Sequence, residues 1–177
     1  MDPISRLDIS CDTSHGICSR IGRSIRPEAK GIGMTLRWRE ELGVGQADID
    51  GDHRQLIAII NDFENMARRL PGDRALHETL IGLHDYAALH FEREETVQLA
   101  CHYPFHAEHK REHQELLAQI RAMAQRYFID RTEPVTKASL GDVALFLRHW
   151  LVNHIIESDL RMRGYLSRLP PSFQLPD

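Results

Sequence analysis

The sequence predicts an all-α protein, an up-down-up-down antiparallel four-helix bundle. Four long segments after Asp50 repeat apolar residues in alternating steps of three and four, the pattern of a helix that buries one face. The alternation of apolar and polar residues that marks a strand is almost absent. The segments are separated by breakers so short that consecutive helices are expected to run antiparallel.

The length and composition fit one globular domain. The chain has 177 residues, of which 42% are hydrophobic and 27% are charged. A net charge of −4 gives no reason to expect nucleic acid or an anionic membrane as a partner. There is no apolar run of the ~20 residues that span a bilayer, and no secretory signal. Three cysteines without a C-x-x-C pair do not make a disulfide framework, so a cytoplasmic location is favoured.

The ends of the chain lack the helical pattern. Residues 1–33 are rich in Gly, Ser, Arg and Asp and have no sustained apolar period, so we expect a flexible N-terminal extension. Met34 follows directly, which leaves two alternatives: a genuine tether, or a translated start placed too early, with Met34 as the natural initiator. Residues 34–166 are expected to form the bundle and residues 167–177 a C-terminal tail.

The first two predicted helices are separated by the breaker LPGD at 70–73. The face that the first helix buries is predicted to carry His53, Leu56, Ile57, Ile60 and Ala67. The second helix continues in steps of four and three without a break, and its buried face is predicted to carry Leu76, Leu80, Leu83, Ala87, His90, Glu94 and Val97.

The third predicted helix begins after a turn at Pro104 and ends at IDRTEP. Its buried face reads His106, His109, His113, Leu116, Ile120, Met123 and Tyr127. The fourth helix stops before the proline-rich segment LPPSFQLPD, and its buried face reads Leu140, Val143, Leu147, Trp150 and His154.

Polar residues interrupt the buried face of every helix, and their types are those of metal ligands. They are His53, His90 with Glu94, His109 with His113, and His154. Residues four apart lie on one face of a helix, so each pair can bind one ion. A buried carboxylate costs several kcal/mol unless a cation or a dedicated partner compensates it, and no lysine or arginine lies on these faces.

A single histidine on an apolar face is most often an ordinary core residue. Four helices that each contribute one are better explained by a shared metal. The remaining histidines are expected on the surface or in loops: His15, His77, His84, His102, His106 and His149. For His106 a place on the third buried face is the alternative, because it continues that face one turn before His109.

A further carboxylate, Asp159, follows His154 by five residues. That spacing places it about 140° around an ideal α-helix. We therefore expect either a locally widened turn, as occurs at functional sites, or a side chain that reaches around the helix.

Four segments resemble the signature segments of the haemerythrins, in particular the bacterial single-domain kind. They lie in the expected order within about residues 36–165 and read VGQADIDGDHRQL, HFEREE, YPFHAEHKREH and WLVNHIIESD. The resemblance implies two non-haem irons per chain, joined by a hydroxide or oxide, in the core of an up-down bundle.

The resemblance also implies which residues hold the irons. His109, His113 and His154 would hold one iron, His53 and His90 the other, and Glu94 and Asp159 would bridge both. The iron with two histidines would keep an open position for dioxygen. Trp150 and Leu151, about one turn before His154, are expected to line the oxygen pocket.

The function that the resemblance implies is reversible dioxygen binding for transport, storage or buffering, with an oxygen-consuming enzyme as one kind of recipient. The protein itself is not expected to be an enzyme. Imidazole ligands do little to stabilise iron above the ferric state, and the Glu-x-x-His pairs of ferritin-like oxidases are missing. Two alternatives stay open: a di-iron enzyme acting as a peroxidase, oxidase or nitric oxide scavenger, and an oxygen sensor.

Overall fold

The computed structural model of the protein describes residues 35–69, 73–170 and 172–175. The predicted extension, residues 1–33, lies outside the described residues. Four long helices are present, α1 (Ala47–Arg69), α2 (Asp73–Ala100), α3 (His106–Ala124) and α4 (Lys137–Glu157), followed by a short α5 (Arg163–Leu166). These described residues contain no β-strand. They also contain no helix with the length and apolar character needed to cross a bilayer.

The long helices form the predicted four-helix bundle. α2 packs between α1 and α3, and α4 packs against α1. α3 and α4 contact each other through histidine rings. Nε2 of His154 on α4 lies 3.2 Å from Nε2 of His109 and 3.1 Å from Nε2 of His113, both on α3. The predicted fold class is therefore confirmed, and histidine side chains lie where the two helices meet.

The predicted apolar faces are buried, except that Trp150 on the fourth helix is only half-buried. Leu56, Leu80, Ile120 and Leu147, one from each long helix, are at most 1% exposed. Full burial of such a side chain contributes about 1.5–3 kcal/mol relative to leaving it in water. The apolar core therefore supplies a rigid frame for the polar residues that share these faces.

The helix that carries His154 has a well-defined start. Thr136 and Ser139 form a capping box, in which the Ser139 backbone N–H donates to Thr136 Oγ1 at 3.1 Å and the Thr136 backbone N–H donates to Ser139 Oγ at 2.9 Å. The helix before it, α3, passes at its C-terminal end into a π-helical turn, Gln125–Ile129.

A second apolar cluster lies where α2 ends. Its buried members are Val44, Ile49, Val97, Cys101, Tyr103 and Met162. Leu169, Phe173 and Leu175 pack against this cluster, although they belong to the predicted C-terminal tail. The described part of the tail therefore contributes apolar side chains to this cluster.

Candidate metal centre

The structure brings all seven predicted ligand residues together inside the bundle. α1 carries His53, α2 carries His90 and Glu94, α3 carries His109 and His113, α4 carries His154, and Asp159 follows α4. Their exposure ranges from 0% to 7%, so the whole group is buried.

Glu94 lies among histidines from two helices. Its Oε1 is 3.4 Å from His109 Nε2, and its Oε2 is 3.3 Å from His113 Nε2 and 3.7 Å from His90 Nε2. Glu94, His109, His113 and His154 each offer a ligand atom within 4.8 Å of the others. These four side chains can therefore converge on one ion.

Asp159 reaches the centre through a change of helix type. α4 ends at Glu157, Ser158 caps it, and a 3-10 helix, Asp159–Met162, follows at once. The locally widened turn, one of the two alternatives expected, does not occur, because the α-helix stops before Asp159 and the chain winds more tightly there.

The Asp159 carboxylate faces both groups of histidines. Its Oδ2 lies 3.2 Å from His53 Nε2, while its Oδ1 lies 3.2 Å from His109 Nε2 and 3.1 Å from His154 Nε2. Glu94 likewise faces His90 on one side and α3 histidines on the other. Two carboxylates are thus shared by three histidines of α3 and α4 and two of α1 and α2.

Many polar atoms of the centre are buried without a hydrogen-bond partner. Both ring nitrogens of His53, both carboxylate oxygens of Asp159 and Oε2 of Glu94 belong to this group. Each such atom costs about 1–3 kcal/mol. Ligand atoms about 2.0–2.2 Å from a shared metal stand roughly 3 Å apart, close to the separations here. A metal bound by one nitrogen of the His53 ring and by the oxygens of Asp159 and Glu94 would satisfy most of these atoms, so the residues fit a metal.

Protons take part of that role in the metal-free centre. Burial alone would lower the pKa of His154, but the charges of Asp159 and Glu94 and the hydrogen bond to Glu112 raise it to about 9. Burial would raise the pKa of Asp159, but the surrounding histidines hold it well below its usual value. Because ligating histidines must be neutral, a metal that enters the centre displaces these protons.

Sequence reasoning missed an outer set of carboxylates. Asp52, Glu95 and Glu112 face the Nδ1 atoms of His90, His113 and His154 at 3.5, 3.2 and 3.3 Å respectively. Each one is adjacent in sequence to a predicted ligand on its own helix and faces a histidine of the next helix. Partners of this kind fix the orientation and tautomer of ligating histidines. The sequence does contain a signal for these carboxylates, namely an acidic residue directly next to a predicted ligand.

Aromatic rings cover two of the histidines. Phe91 stacks on His113 with ring centroids 3.8 Å apart, and Trp150 stacks on His154 at 4.8 Å. Leu151, beside Trp150, is 1% exposed and belongs to the core. Aromatic groups thus cover the faces of rings whose Nε2 atoms point into the centre.

The other histidines lie apart from the centre. His102 and His149 are exposed, as predicted, and His15 lies outside the described residues. The prediction for His84 was wrong: it is 8% exposed, with Arg121 Nη2 3.2 Å from its Nε2 and Asp85 Oδ1 2.9 Å from its Nδ1. His106 is half-buried and contacts Gln98.

Comparison with known proteins agrees with this geometry. Residues 44–164 match the family model of the hemerythrin HHE cation binding domain. The chain is 29% identical over 124 residues to a bacteriohemerythrin of Stenotrophomonas maltophilia (strain R551-3), covering 70% of this chain and 76% of that protein. A bacteriohemerythrin of Methylococcus capsulatus is 30% identical over 120 residues, or 67% and 86% of the two chains.

A solved structure gives the same result. The crystal structure of a wild-type hemerythrin superposes with a TM-score of 0.67 at 26% sequence identity, covering 76% of this chain and 99% of that one. The matched region contains the four long helices and the buried cluster of histidines and carboxylates, which is a cation site. The chain belongs to the haemerythrin family.

Proposed function

We propose that the protein holds two irons at this centre and binds dioxygen reversibly, for transport, storage or buffering, without turning over a substrate. The observation that carries the proposal is the placement of two buried carboxylates between one group of three histidines and another of two. When bound, such an iron pair supplies redox-active ions and an open coordination position for dioxygen.

The five histidines would be divided unequally between the two irons. His109, His113 and His154 would hold one iron, and His53 and His90 the other. Glu94 and Asp159 contact members of both groups, so they are the side chains suited to hold the pair together. Glu95 and Glu112, at 3.2 and 3.3 Å, keep the imidazoles of His113 and His154 oriented with Nε2 inward, while Asp52 faces His90 Nδ1 at the longer distance of 3.5 Å.

Apolar side chains would keep water away from the centre. Trp150 covers the ring of His154, and Leu151, the next residue on α4, is 1% exposed. We propose that these two residues line the oxygen pocket. Water or a proton that enters there would convert reversible binding into irreversible oxidation of the iron, so an apolar wall favours reversibility.

Shortening Leu151 should therefore shorten the working life of the protein in air. Leu151→Ala opens a cavity and should cost about 2–5 kcal/mol of unfolding free energy. The iron-loaded variant should lose reversible oxygen binding faster than the wild type, while its initial iron content stays the same. The rate of loss, followed by absorbance during storage in air, measures the effect. Trp150→Phe tests the other proposed pocket residue.

Leu140→Ala is the matched control, because Leu140 is equally buried on α4 but lies at the far end of the helix. Leu140→Ala should lower the free energy of unfolding without the same increase in the rate at which reversible oxygen binding is lost. Equal acceleration by both leucine variants, or none in Leu151→Ala and Trp150→Phe, would show that these residues do not protect the centre.

The iron content of the purified protein tests the proposed centre itself. Seven ligands with two shared carboxylates are more than one ion can use, so we expect two irons per chain. Metal analysis against protein concentration gives this ratio. A ratio near one, or zinc as the dominant metal, would contradict the di-iron assignment.

A further inference from the structure

A buried amide links Glu94 to a histidine near the surface. Gln98 lies one turn after Glu94 on α2 and is 0% exposed. Its Nε2 is 3.5 Å from Glu94 Oε1, and its Oε1 is 2.9 Å from the Nδ1 of His106. His106 is half-buried at the first position of α3. The three side chains form one line of contacts from the protein surface to a carboxylate of the metal centre.

The chemistry of the groups fixes the direction of this line. A carboxylate can only accept hydrogen bonds, so the amide nitrogen of Gln98 must face Glu94. The amide oxygen must then accept from His106, which requires a proton on Nδ1 of that ring. Orientation of the amide and the protonated position of the imidazole therefore depend on each other.

The backbone around Gln98 is also held in place. Its carbonyl oxygen accepts from the Tyr103 backbone N–H at 2.8 Å and from Cys101 Sγ at 3.5 Å. The turn between α2 and α3 thus closes on Gln98 and brings His106 beside it. Packing alone would be served by an apolar residue, because a buried amide costs free energy unless both of its ends are paired.

We propose that Gln98 and His106 are positioning residues that hold the Glu94 carboxylate ready for metal. Gln98 donates to Oε1, and His106 holds the amide in the orientation that allows this. Each carboxylate oxygen has two lone pairs, so Oε1 can accept this bond and still bind a metal. Oε2 has no hydrogen-bond partner and faces His113 and His90. The inference rests on the proposed metal centre, and it adds the device that orients one of its shared ligands.

Three substitutions in the full chain test the two residues. Gln98→Met keeps the length of the side chain without its polar atoms, and His106→Leu removes the donor. His106→Asn places an amide nitrogen near the position of Nδ1 and should restore the contact. Gln119→Met, on the exposed face of α3, is the control for the glutamine substitution.

Cobalt(II) is the probe, added to metal-free protein and followed by its visible absorption. Loss of a residue that supports a ligand usually lowers metal affinity by roughly 10–100-fold. We expect a loss in that range for Gln98→Met and His106→Leu, and near wild-type affinity for His106→Asn and Gln119→Met. Circular dichroism of each variant verifies that it is folded.

A second measurement does not need metal. The ¹⁵N resonances of His106 in the metal-free protein should show a proton on Nδ1 in the wild type, and a shift of that proton to Nε2 in Gln98→Met. Unchanged cobalt affinity in both Gln98→Met and His106→Leu, or a wild-type His106 protonated on Nε2, would overturn the inference. Failure of the wild type to bind cobalt would instead overturn the proposed centre, and the ¹⁵N result would still decide whether the contact with His106 exists.

Discussion

Raising the pH from 6.5 to 9 should destabilise the metal-free protein. The pKa of His154 is raised from 6.5 to about 9 in the folded state, and that of His53 is raised in the same direction. A raised pKa contributes stability that is fully present below the unfolded value and is lost as the pH passes through the folded value. The expected loss is on the order of a few kcal/mol, because one unit of pKa shift corresponds to about 1.4 kcal/mol.

Metal should reverse this trend. Ligating histidines must be neutral, so protons compete less with metal as the pH rises, and bound metal stabilises the fold more strongly. Below neutral pH the competition favours protons, and iron retention should decline towards about pH 4, where unperturbed carboxylates also begin to protonate. The stability of loaded protein should therefore rise over the interval in which that of metal-free protein falls.

Urea unfolding of both forms at pH 6.5 and 9 measures the two trends. His154→Gln should flatten most of the trend in the metal-free protein, whereas His149→Gln, an exposed histidine on the same helix, should leave it unchanged. A metal-free protein that gains stability between these pH values, or iron retention that does not change down to pH 4, would mean that the buried histidines do not exchange protons for metal.

Glu94→Gln should abolish occupancy of the centre by a pair of ions. Glu94 is 0% exposed and contacts His90 on one side and His109 and His113 on the other. An amide keeps the shape but removes the negative charge and presents an N–H group to the histidines or the metal. We expect metal affinity to fall by more than roughly 100-fold, beyond what an outer partner contributes.

The control for this variant is Glu92→Gln, an exposed glutamate on the same helix. Metal analysis of both proteins after purification and after reloading with ferrous iron gives the iron content. Glu92→Gln should retain two irons and Glu94→Gln at most one. If Glu94→Gln retained two irons with wild-type affinity, Glu94 could not be a shared ligand.

Helical periodicity was enough to predict the bundle and the convergence of the histidines. Steps of three and four place Leu80, His90 and Glu94 on one face of α2, and all three are buried. The same rule failed at Asp159, because it assumes that the α-helix continues, whereas α4 ends at Glu157. The position of a helix end depends on packing with other segments, which periodicity along one helix does not contain.

Contacts between side chains of different helices could not be predicted from the sequence pattern either. Asp52 faces His90 Nδ1 from the neighbouring helix and accepts hydrogen bonds from Arg93 Nη1 at 2.9 and 3.0 Å. Glu64 is buried on α1, and its Oε1 accepts a hydrogen bond of 2.8 Å from Nε of Arg148, which lies on α4. In each case the partner is distant in the chain, so only the tertiary structure shows that the acidic residue has one.

Reversible oxygen binding is tested most directly by cycling oxygen over iron-loaded protein. The full chain is loaded with two equivalents of ferrous iron without oxygen, exposed to oxygen, and then purged with inert gas while absorbance and oxygen uptake are recorded. We expect uptake of one dioxygen per iron pair and full recovery of the starting spectrum over repeated cycles, with the iron retained. Uptake that does not reverse, or steady oxygen consumption when a reductant is supplied, would contradict reversible binding as the function.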